Sequence, residues 1–89
     1  MDRTKILEYF ILRFDFKKAK NMCHLKGCAK PAQSSVLFSE YNIKKGVSKD
    51  IVKIDLCSEH DNSDIILKDL NRRFFGNFAV IRAKKEKIR

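Results

Sequence analysis

Between residues 23 and 60 the chain carries all three of its cysteines and one of its two histidines, arranged in two close pairs. Four residues separate Cys23 from Cys28, two separate Cys57 from His60, and 28 lie between the pairs. Thiolate sulfur and imidazole nitrogen are donors that zinc takes readily, and structural zinc sites fill all four corners of a tetrahedron with them. A short loop spans one edge of that tetrahedron, so two short-spaced pairs complete it. The spacing predicts one structural Zn2+ held by Cys23, Cys28, Cys57 and His60. The competing reading is three buried thiols behaving as small apolar residues, with an unrelated surface imidazole. His24, adjacent to Cys23, cannot easily reach the same ion and is expected not to be a ligand.

A metal also answers a size problem. At 89 residues the chain is near the lower limit for an independent core, and structural zinc contributes folding free energy on the order of 10 kcal/mol. Three cysteines cannot all pair within one chain, which counts against a secreted disulfide scaffold. The N-terminal residues lack a signal-peptide pattern, and no apolar run approaches the ~20 residues of a membrane span. The expectation is a soluble domain in a reducing, cytoplasmic compartment, with residues 1–83 forming one zinc-binding unit.

Twenty basic residues against 11 acidic ones give a formal charge of +9. A dication and three thiolates would bring it to about +8. Such a surface favours polyanions, nucleic acid first and an acidic protein face second, although charge for solubility alone is the plainer reading.

Local patterns suggest an α+β domain. From Lys5 to Lys17, Leu12, Phe14 and Phe16 alternate with Arg13, Asp15 and Lys17, and as a helix the apolar residues would surround the whole axis. The stretch therefore reads as a strand, interior to a sheet because Tyr9 to Leu12 is apolar on both sides. Cys23 to Cys28 would form a knuckle, with Gly27 supplying a positive φ. Strand-like segments from Ser35 to Ile43 and Ile51 to Leu56 flank a turn around Gly46, a hairpin that delivers Cys57. Asp61, Asn62, Ser63 and Asp64 then open a helix of about Ser63 to Phe75, with Ile66, Leu70 and Phe74 on one face and Gly76 as its stop. Asn77 to Ala83 could form a last strand, and Lys84 to Arg89 a flexible basic tail.

Knuckle, hairpin, then a second ligand pair at a helix start: this order resembles the treble-clef group of zinc fingers over roughly residues 22–76. The resemblance implies Cys23 and Cys28 in the knuckle and Cys57 and His60 in the first helical turn. The Cys-x4-Cys loop and the Cys57–His60 segment are also similar to small zinc modules of phage and mobile-element proteins, which would imply viral origin and a host cytoplasm. The knuckle here is longer than the usual Cys-x2-Cys, and the flanking strands are extra.

Catalysis is not expected. A closed four-ligand zinc has no open position to activate water, all three thiols are committed, and one histidine is left. Two binding readings remain. In the first, Lys17, Lys18, Lys20, Lys26 and Lys30 around the knuckle, Arg72 and Arg73 at the helix end, and Arg82, Lys84, Lys85, Lys87 and Arg89 in the tail contact DNA or RNA phosphates in a regulatory role. Tyr41 and Phe75 are candidates to stack on bases, while Phe74 and Phe78 read as core. In the second, the domain is an interaction module or inhibitor docking on a larger machine such as polymerase or ribosome through its first strand.

Overall fold

The computed structural model describes residues 3–19, 21–74 and 79–88. The expected hairpin is its centre. Strands β1 (Ser34–Asn42) and β2 (Val47–Leu56) pair antiparallel, with Ser34 opposite Leu56 and Asn42 opposite Val47. The turn closes where Asn42 accepts twice, its carbonyl from Gly46 N–H at 2.8 Å and its side-chain oxygen from Lys45 N–H at 2.9 Å. Gly46 sits at φ +68°, a conformation that costs glycine nothing. The register shifts between Phe38 and Ser39, which leaves Ile51 as an extra residue and bends the hairpin there.

Strand β3 (Ala79–Lys87) adds antiparallel to the other side of β1, giving the order β2-β1-β3. A last strand was expected, but only to Ala83. Instead it runs on through Lys84–Lys87, which pair with Leu37 back to Ser34, and Ile88 N–H donates to Gln33 at 2.9 Å. The loose basic tail is thus corrected to strand as far as the described residues go. Ladder hydrogen bonds come from the backbone, so lysines whose side chains stay in solvent do not oppose them.

The N-terminal segment is the larger correction. Arg3–Arg13 is helix α1, not an interior strand. Ile6, Tyr9, Phe10 and Phe14 recur at spacings of three and four, and all are buried. Phe10 rests on Phe38 of β1, ring centroids 5.1 Å apart, and against Tyr9 and Phe14 at 5.5 and 5.9 Å. The alternation that suggested a strand belongs to leftover residues: Leu12 is 71% exposed and Phe16 40%. The helix ends at Arg13, a cation where the helix dipole favours one. Phe14 then forms an isolated antiparallel bridge with Leu25.

Helix α2 (Ser63–Phe74) has the expected place and stripe, with Ile66 and Leu70 buried. It opens where the Asn62 carbonyl accepts from Ile65 and Ile66 N–H at 3.0 and 3.1 Å. Asn71 covers the outer edge of β3, donating to Ile81 O at 2.9 Å and accepting from Ile81 N–H at 2.7 Å. Two polar groups that would template a further strand are thereby used. Phe75 and Phe78, assigned to exposure and core from sequence, lie outside the described residues.

Both helices feed one core with Val36, Phe38, Ile54, Leu56 and Ile81. Because strand residues alternate, Ser35, Leu37, Ser39 and Tyr41 of β1 point to the opposite face of the sheet. Among the described residues no helix is long and apolar enough to cross a membrane.

Candidate metal centre and basic surfaces

The four sequence-predicted ligands converge. The loop holding the first pair is pinned at its base by a bridge between Met22 and Pro31 and by Cys23 N–H donating to Lys30 O at 3.0 Å. Gly27, at φ +83°, turns the loop so that Cys28 N–H reaches Leu25 O at 3.1 Å. Asp15 N–H donates to His24 O at 2.7 Å and Lys26 N–H to Arg13 O at 3.2 Å, tying the loop to the end of α1. On the other side β2 ends at Leu56, and Cys57 follows directly. A single 3-10 turn, Ser58–His60, closes with His60 N–H donating to Cys57 O at 3.2 Å and folds the imidazole back beside Cys57.

This turn departs from the treble-clef expectation. The second pair sits on its own 3-10 turn, with Asp61 and Asn62 between it and α2, rather than in the first turn of α2.

The donor atoms of Cys23, Cys28, Cys57 and His60 all lie within 4.8 Å of one another. Cys28 Sγ is 3.8 Å from Cys57 Sγ, and His60 Nδ1 is 3.2 Å from Cys57 Sγ and 3.9 Å from Cys23 Sγ. A zinc tetrahedron with Zn–S of ~2.3 Å and Zn–N of ~2.0 Å has edges of about 3.8 Å between sulfurs and about 3.5 Å between sulfur and nitrogen. The Cys28–Cys57 distance matches the sulfur edge and the two distances from His60 Nδ1 fall on either side of the sulfur–nitrogen edge, so this cluster could hold a metal ion, with Nδ1 as the imidazole donor.

Backbone donors surround the sulfurs. Lys30 N–H donates to Cys28, whose thiol is lowered to about 7. Burial pushes the Cys23 thiol up, opposed by N–H donors of Cys57 and Leu25. Cys23 and Cys57 are buried, whereas Cys28 is half-buried. Loading a metal requires all three as thiolates and therefore releases protons. Across the mouth, the Lys30 ammonium pairs with the Glu59 carboxylate, which raises the pKa of Lys30 and lowers that of Glu59.

His24 is engaged elsewhere. Its Nδ1 accepts from Asp55 N–H at 2.8 Å, its backbone N–H donates to Asp55 O at 2.8 Å, and its ring lies 5.6 Å from that of Phe16. It fastens the loop to β2.

The structure also assigns a part to Lys18 that sequence reasoning missed. Its ammonium donates to three carbonyls of the ligand loop, those of Cys23, Leu25 and Cys28. One lysine among fourteen carries no mark of this in the sequence.

The basic residues singled out from sequence do not form one surface. Lys30 is held by Glu59, Lys85 by Asp61, and Arg72 and Arg73 by Asp69 at 2.7 and 3.1 Å. Those arginines lower the Asp69 carboxyl to about 2, with the Tyr9 hydroxyl assisting. Lys17 and Lys26 are exposed beside the ligand loop and Lys87 near the end of β3, while Lys20 and Arg89 lie outside the described residues. Arg82 and Lys84 come together on the open face of the sheet. Arg82 stacks 3.7 Å above the centre of the Tyr41 ring, and Lys84 lies opposite Leu37, which has Lys53 of β2 on its other side. Lys53 was overlooked because it sits alone between apolar residues, and only strand pairing brings it to Lys84.

No protein-family model matches this chain, and neither the curated proteins nor the solved structures compared with it give a match.

Proposed function

We propose that the chain is a zinc-stabilised nucleic-acid-binding module of regulatory type, rather than an enzyme, and that it binds through the open face of its sheet. Zinc suits the Cys3His donor set, and the resemblance to treble clefs draws support from the order ligand loop, hairpin, helix, although the second ligand pair belongs to a separate 3-10 turn. With four protein donors around one ion, no coordination position is left to activate water. Zinc bound there supplies folding free energy, the backbone N–H groups offset the charge of the thiolates, and Lys18 holds the loop through its carbonyls.

The observation that carries the binding reading is the row Lys53–Leu37–Lys84 running across all three strands, with Arg82 and Tyr41 one and two steps further along the same face. The helices occupy the other side, so this surface is open. Cations flanking an apolar strip suit a flexible strand that lays phosphates against lysine and stacks a base on the Arg82 guanidinium, which itself lies over the Tyr41 ring. Acids share this face: Asp50 lies opposite Ser39, whose hydroxyl donates to it at 3.2 Å, and Asp55 and Glu86 flank Ser35, with Glu86 3.9 Å from the Lys84 ammonium.

Salt-dependent binding of labelled single-stranded DNA and RNA tests this. The double variant Arg82→Ala, Lys84→Ala should retain its metal and lose about 1.4 units of log–log salt slope, at ~0.7 per phosphate contact on a single strand. Wild-type protein that does not bind either strand, or a variant that binds as well as wild type, overturns the reading.

A further inference from the structure

We infer that the cleft between α1 and α2 is a docking site for an acidic, aliphatic segment of a partner protein. The inference is independent of nucleic-acid binding on the sheet, which occupies the opposite side. The cleft encloses about 440 Å³, within the usual range of ligand sites. Its floor is apolar, formed by Tyr9, Phe14 and Ile66, with Leu25 of the ligand loop beside them. Ile65 extends that surface outward and is 69% exposed, a large aliphatic side chain in solvent at the first turn of a helix.

The charge around this floor is lopsided. Among the lining residues Arg13, Lys68 and Arg72 are cations and Asp69 a carboxylate; Arg72 is paired with Asp69, so Arg13 and Lys68 are the cations in excess. That carboxylate is already matched, because Arg72, Arg73 and the Tyr9 hydroxyl all donate to it. Arg13 is held in place by stacking 3.9 Å over the Tyr9 ring and by donating Nη1 to Tyr9 O at 3.1 Å. A rim of pre-positioned guanidinium and ammonium groups around an aliphatic floor complements a segment that buries leucine-like side chains and turns carboxylates outward.

A nucleic acid fits this cleft less well. Stacking needs a free ring face, and both aromatic rings of the lining are more than nine-tenths buried, Tyr9 beneath Arg13. What is offered at the surface is aliphatic. Carboxylates of a peptide can meet the cations while its apolar side chains meet exposed Ile65 and half-buried Leu25.

The test uses the metal-loaded full chain and fluorescence anisotropy with a labelled amphipathic peptide of Leu and Glu, about three helical turns long. Controls are the same peptide with Gln for Glu and a labelled oligo-dT. The exposed positions Ile65→Asp and Lys68→Glu serve as variants, because neither supports the core. Saturable binding of the acidic peptide is expected, weakened about tenfold or more by each variant (~1.4 kcal/mol) and by the Gln exchange, with oligo-dT binding unchanged. Arg82→Ala with Lys84→Ala should leave peptide binding intact. No saturable peptide binding, or binding indifferent to Ile65→Asp and Lys68→Glu, overturns the inference. So does displacement of the peptide by oligo-dT, which would make the cleft a nucleic-acid surface.

Discussion

Replacing Lys18 by methionine removes a charge that three carbonyls of the ligand loop share, while keeping most of the side chain's apolar length. A hydrogen bond to a charged group contributes ~1.5–3 kcal/mol when sheltered, and less where water can take its place. Lys18 is half-buried and makes three such bonds, to Cys23, Leu25 and Cys28. Allowing for water at the exposed side, a loss of about 2–3 kcal/mol is expected. Ordering of a ligand loop and metal binding are one equilibrium, so the loss should appear as weaker metal affinity. That corresponds to roughly 30- to 150-fold in Kd, measured by competition with a chromophoric zinc chelator. Lys26→Met, in the same loop but exposed, is the control and should change little. Lys18→Arg keeps the charge but spreads its donors over a planar fork, and should fall between. Equal zinc affinity in Lys18→Met and wild type would refute the reasoning that this ammonium organises the loop.

Two further predictions concern the core and the α1–α2 contact. Phe10→Ala should cost about 3–5 kcal/mol in chemical denaturation of the metal-loaded protein, whereas exposed Leu12→Ala should stay within about 0.5 kcal/mol; the reverse order would restore the strand reading. Asp69→Asn should destabilise the protein at neutral pH. The folded carboxyl, lowered to about 2 by Arg72 and Arg73, lies below its unfolded value of ~3.9, so its contribution is full above that value and lost as pH falls toward 2. The gap between Asp69→Asn and wild type in urea titrations of the zinc-loaded protein should therefore be constant from about pH 8 to 5, where the carboxylate is ionised in both states and the thiolates still hold the metal; a gap that changes across that range contradicts the ion-pair account.

The metal cluster was legible because ligand spacing is a local property: Cys23 with Cys28 and Cys57 with His60 each need one short loop, whatever the rest of the chain does. Helix α2 was legible for a similar reason, since Ile66 and Leu70 mark one face after a run of capping residues. Helix α1 was not. Its stripe of Ile6, Tyr9, Phe10 and Phe14 overlaps an equally regular alternation of Leu12, Phe14 and Phe16, and only the contact of Phe10 with Phe38 decides between them. That contact joins residues 28 positions apart and leaves no local trace. The C-terminal lysines misled in another way. Their charge argued for solvent, correctly for the side chains, while the backbone of Lys84–Lys87 had a partner in β1. Lys53, Lys84 and Arg82 became neighbours only through that pairing, and Lys18 became part of the metal loop only through the fold of residues 14–31.

Cys23, Cys28, Cys57 and His60 are expected to hold one zinc ion on which the fold depends. Native mass spectrometry of the purified protein, beside elemental analysis, tests it most directly. One zinc per chain is expected, bound with loss of thiol protons, absent from Cys57→Ser, and removed by a strong chelator together with the folded state. A folded chain carrying well under one zinc, or keeping its structure after the metal is stripped, would contradict it.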